Sequence, residues 1–107
     1  MVKSYGLVLI IHHDAKLGGD IKAGLRKLRI PASLVSNPQQ LNSFVQALQI
    51  SYLIIDLLPG SALEVSYLDW IMTPGATDGI PSMNLRAAEF PGVEAVCQAV
   101  ALEIRGS

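Results

Sequence analysis

The chain has 107 residues, enough for one domain, and half of them are apolar, which supplies a core and excludes a disordered segment. Eight basic residues against nine acidic give a net charge of −1, without the basic surplus expected of a nucleic-acid-binding surface. Cys97 is the single cysteine, so no intrachain disulfide can form; no apolar run reaches the length of a membrane span or a signal peptide, and a cytoplasmic protein without membrane contact is expected.

The run Gly6-Leu7-Val8-Leu9-Ile10-Ile11 is apolar throughout and stops at His12-His13-Asp14. An apolar run without alternation predicts a strand buried on both faces. Leu17, Ile21, Leu25 and Leu28 then recur at helical spacing, although Gly18, Gly19 and Gly24 weaken that helix. Lys22, Arg26, Lys27 and Arg29 read as its solvated face. Ile30-Pro31-Ala32-Ser33-Leu34-Val35 predicts a short second strand, and Pro31, which can donate no ladder hydrogen bond, places it at an edge. Ser36-Asn37-Pro38 supplies a helix cap and a proline at the first helical position; Leu41, Phe44, Val45 and Leu48 form that helix's buried stripe.

Ser51-Tyr52-Leu53-Ile54-Ile55-Asp56-Leu57-Leu58 predicts a central third strand, with Asp56 near its carboxyl end and Pro59-Gly60 turning the chain. A third helix carries Leu63, Tyr67, Leu68, Ile71 and Met72 and ends before Pro74-Gly75. Tyr67 and Trp70 are expected in the core or at an interface. A fourth strand is placed at residues 81–85, and a last helix from Pro91 buries Val93, Val96, Cys97, Val100 and Ile104 on one face. Alternating strands and helices predict right-handed crossovers, hence a three-layer α/β sandwich with a central parallel sheet. The first and third strands should be neighbours at its centre. Ligand sites in such sheets form outside the carboxyl ends of strands where the strand order reverses. The residues expected there are His12, His13, Asp14 and Asp56.

Residues 7–60 resemble the receiver domain of bacterial response regulators, the flavodoxin/CheY-like fold. The resemblance rests on a strand ending in Ile10-Ile11-His12-His13-Asp14, on Ser36-Asn37 leading into a helix, and on Leu53-Ile54-Ile55-Asp56-Leu57-Leu58-Pro59-Gly60. It implies that Asp56 stands at the phosphoacceptor position. It also implies that His12 and His13 replace an acidic pair that would hold Mg²⁺, a hard cation that wants oxygen ligands. Asp14 is left as a partial replacement. The lysine expected at the end of a fifth strand falls on Glu89, within Ala88-Glu89-Phe90-Pro91. A serine or threonine is expected after the fourth strand, with Thr73, Thr77 and Ser82 nearby. The chain after Asp56 is too short for the full pattern, so the fold is expected to be shortened after its third strand.

The run from Leu7 to Gly18, with Asp56 preceding Gly60-Ser61-Ala62, is also similar to mannose-type phosphotransferase IIA domains. That similarity implies a phosphohistidine at His13, oriented by Asp56. Residue chemistry alone leaves two further possibilities: unremarkable loop histidines, or a transition-metal site from His12, His13 and Asp56. The leading expectation is a receiver-like regulatory domain over residues 1–107. It would act by contact with a partner protein, a fused effector domain or a second copy, without catalysis, metal or other cofactor, and with Asp56 as a vestigial phosphoacceptor.

Overall fold

The computed structural model describes residues 7–47, 50–75, 79–85 and 92–106. Four strands, β1 (Leu7–His12), β2 (Ala32–Val35), β3 (Ile50–Asp56) and β4 (Ser82–Asn84), alternate with α1 (Ala15–Lys27), α2 (Pro38–Ala47), α3 (Ala62–Met72) and α4 (Val93–Gly106). The sheet is parallel, in the order β2-β1-β3-β4. The order therefore reverses between β1 and β3, as expected, and β2 is an edge strand.

Strand side chains alternate between two cores. Val8, Ile10, Tyr52 and Ile54 face one layer, where Ile21 and Leu25 of α1 meet Val96, Cys97, Val100 and Ala101 of α4. Leu9, Ile11, Leu53 and Ile55 face the other, against Leu41 of α2 and Leu63 of α3. Each central strand is buried on both faces, which is why its sequence shows no polar alternation. The Tyr52 hydroxyl ties β3 to α4 by a 2.6 Å hydrogen bond to Glu103 Oε2. The Phe44 and Val45 side chains, Leu48, Thr77, Glu89 and Pro91, all singled out in the sequence, lie outside the described residues or side chains.

Local chemistry fixes the helix starts. Asn37 Oδ1 accepts from the Gln40 amide at 2.9 Å while Gln40 Oε1 accepts from the Ser36 amide, and Pro38 opens α2. At the end of β3 the chain turns through Leu58-Pro59-Gly60-Ser61, closed by Ser61 N donating to Leu58 O. Gly60 has φ +78°, a conformation that this turn needs at its third residue and that glycine adopts without strain. Ser61 then caps α3 through the Glu64 amide, and Glu64 reaches back to the Gly60 amide.

Two expectations are adjusted. The glycines do not interrupt α1, which runs unbroken from Ala15 to Lys27. The expected apolar stripe of α3 is split: Leu63 is buried and Tyr67 and Trp70 pack against the core, whereas Leu68 and Met72 face outward.

Candidate functional site

Parallel register brings the two strand tips together, with His12 directly opposite Asp56. One further step of pairing follows, the His13 amide donating to Asp56 O at 3.0 Å. Among the expected site residues, His12, His13 and Asp56 share one pocket. The imidazole Nε2 of His12 lies 3.4 Å from Asp56 Oδ2, and that of His13 lies 3.7 Å from Oδ1. The two rings stand 5.0 Å apart, tilted by 32°. One ligand-type atom from each of the three residues can be chosen so that all lie within 4.8 Å of one another.

The two histidines differ in environment. His12 is the last residue of β1 and is 1% exposed, so it is a core residue rather than a loop residue. His13 follows the strand with its side chain 32% exposed. Burial pushes the His12 imidazole below its usual pKa; the Asp56 carboxylate opposes that effect without reversing it. A buried neutral imidazole is the expected result, because desolvation penalises the charged form.

Asp14 does not join the pocket as an acidic replacement. Its Oδ1 accepts from the backbone amides of Lys16 and Leu17 at 3.0 and 3.3 Å, capping α1. These hydrogen bonds, that from Leu17 first, hold its carboxyl below the ordinary 3.8. Its own amide donates to His12 Nδ1 at 2.9 Å. The sequence signal for this role was present, since aspartate just before an apolar-periodic segment is a helix cap.

The residues present do not fit Mg²⁺. A hard cation needs several oxygen donors. Asp56 supplies the carboxylate of this pocket, Asp14 is engaged by α1, and imidazoles stand at the two positions where the resemblance implies acids. Ser82 is at the start of β4 and Thr73 at the end of α3; the residue at the carboxyl end of β4 is Asn84, opposite Ile55. Asn84 was not foreseen, and no spacing rule could have found it before the strand's limits were known. A separate cavity of about 570 Å³, lined by Asp20, Gly24, Lys27, Val93, Glu94 and Cys97 among others, lies between α1 and α4 and contains none of the strand-tip residues.

No family model matches the sequence, and no curated protein matches it. By structure the chain is similar to HP1043, an orphan response regulator of H. pylori. The TM-score is 0.58 at 13% identity, and the match covers 92% of this chain and 95% of that one. At that identity the likeness establishes the fold: the chain has a CheY-like receiver fold, with four strands among its described residues. No helix among the described residues is long and apolar enough to cross a membrane.

Proposed function

We propose that this receiver-like domain is a non-catalytic regulatory module that works by protein-protein contact, independently of Mg²⁺-dependent phosphorylation of Asp56. The observation that carries the proposal is the pair of imidazoles facing the two oxygens of Asp56, at 3.4 and 3.7 Å, where an acidic pair would gather the metal. Among the described residues, imidazoles rather than metal-gathering carboxylates stand beside Asp56, so the cation that would offset the charge of a phosphoryl group approaching it has no hard ligand set. The domain would act in the cytoplasm, where a reducing environment suits the free, buried thiol of Cys97.

Its contact surface is the outward side of α3. Val65, Leu68 and Met72 lie at spacings of three and four, and all three are exposed. Glu64 and Asp69 flank this stripe, and residues 57–75 contain no lysine or arginine. The fitting occupant is a separate protein surface, apolar at its centre and basic at its rim. A second copy fits less well. It would bring like charges together, and a patch on the order of a few hundred Å² doubled across a two-fold axis falls short of the ~1,000 Å² of a specific interface.

Labelling tests the reading. With Mg²⁺ and a small acyl-phosphate donor, the protein should gain no phosphoryl group. A stoichiometric, alkali-labile label that disappears in Asp56→Asn would overturn the proposal. Phosphotransfer through His13 is the second reading, favoured by the partly exposed His13 ring held beside Asp56. With phosphoramidate as donor it predicts an acid-labile, alkali-stable label lost in His13→Ala; that result would replace the first reading.

A further inference from the structure

His12, His13 and Asp56 suit a borderline metal ion by position. Ligands of a tetrahedral zinc ion lie ~3.4 Å apart for the usual bond lengths, close to the 3.4 and 3.7 Å that separate each imidazole from the carboxylate. Protons decide otherwise. The Asp14 amide donates to His12 Nδ1, so that nitrogen presents its lone pair. A neutral imidazole then carries its single proton on Nε2, the atom that faces Asp56. A metal at Nε2 would require removal of that proton as well, leaving an imidazolate. Histidines that bind metals normally hold a proton on the other nitrogen and donate it to an acceptor; here the other nitrogen faces a donor.

The ring has little freedom to rearrange. It is buried, and Gly18 of α1 lies so close that a Cβ there would come within 3.1 Å of His12 Cβ. Nor can Nδ1 gain a proton while the Asp14 amide points at it. Nε2 has no hydrogen-bond partner among the described residues. A buried donor left unpaired is destabilising, and Asp56 Oδ2 stands 3.4 Å away as an acceptor not yet in hydrogen-bond geometry. The Asp56 side chain is 21% exposed, and a small rotation closes the contact.

We propose that His12 takes the cation's place: locked as the Nε2–H tautomer by the Asp14 amide, it holds the Asp56 carboxylate by a hydrogen bond and keeps divalent metals out of the strand-tip pocket. His12 is thus a positioning residue for Asp56. The correspondence of His12 with an acidic position rests on the receiver-like reading above, but the tautomer and the exclusion of metal rest on this chain's own geometry.

The test uses the whole chain, ¹⁵N-labelled, with His13→Gln to leave one histidine signal. Two-bond proton–nitrogen spectra at neutral pH should show Nδ1 unprotonated and Nε2 protonated. Titration of the wild type with Co²⁺ should leave the His12 ring signals in place and give no tetrahedral cobalt absorption. A proton on Nδ1, or cobalt bands lost in both His12→Gln and Asp56→Asn, would overturn the inference. An acyl phosphate formed on Asp56 without added divalent metal, in a protein that still shows the Nε2–H tautomer and no cobalt bands, would overturn the proposed function and leave the His12 assignment standing; one that requires Mg²⁺ would overturn both.

Discussion

Asp14 carries more of the local structure than its place beside two histidines suggests. Its side chain caps α1, its carbonyl accepts from the Gly18 amide, and its own amide sets the His12 tautomer. Because the folded carboxyl sits below 3.8, its ionisation contributes stability above the unfolded value, and that contribution is lost as pH falls through the lowered folded value. Asparagine keeps the cap oxygen without the charge. The wild type should therefore exceed Asp14→Asn in urea midpoint near neutrality, and the gap should close as pH drops below 3.8. A gap that stays constant to pH 3 would mean that the charge contributes nothing. That positions 12, 13 and 56 would come together was legible from the strand pattern. The capping role of Asp14 has a sequence signal as well, an aspartate just before a helical periodicity, but the resemblance draws the same carboxylate into a metal site, and only the located helix start decides between the two.

At the scale of elements, the three glycines of α1 separate by what lies against them. A Cβ at Gly19 would meet nothing within 4 Å, whereas one at Gly24 would come within 2.6 Å of Cys97 Sγ, a buried thiol bonded to Ile21 O. Glycine in a helix interior costs about 1 kcal/mol relative to alanine. Gly19→Ala should then raise stability by up to about 1 kcal/mol. Gly24→Ala should lower it, since overpacking typically costs about 1–3 kcal/mol and exceeds the helix gain. Adding Cys97→Ala removes the obstructing sulfur and should recover part of the loss relative to Cys97→Ala alone, as a double-mutant cycle in urea would show. Glycine was read from the sequence as a weakness of this helix. At positions 18 and 24 it is what lets the helix approach β2 and α4.

Across the whole molecule, α3 has apolar residues on both sides and covers only one. Leu63 is 5% exposed, while Met72 is 80% exposed. Leu63→Ala should lose roughly 3 kcal/mol of stability, as buried leucines do. Leu68→Gln with Met72→Gln should leave the unfolding free energy from urea titration within about 0.5 kcal/mol of the wild type and reduce binding of an apolar dye. In sedimentation velocity the chain alone should be monomeric at micromolar concentration. A dimer abolished by Met72→Gln would identify a second copy as the occupant instead.

By itself the sequence determined the alternation of strands and helices, the central place of the first and third strands, and the convergence of His12, His13 and Asp56 at their tips. Those features follow from apolar periodicity, capping residues and the handedness of crossovers, all written locally along the chain. Tertiary structure decided what periodicity could not express. It set the register that puts His12 opposite Asp56 and the burial that makes one histidine a core residue and leaves its neighbour exposed. It also decided which apolar side of α3 meets the sheet. Each of these depends on which distant atoms come within a few ångströms, and that is settled only when the layers pack.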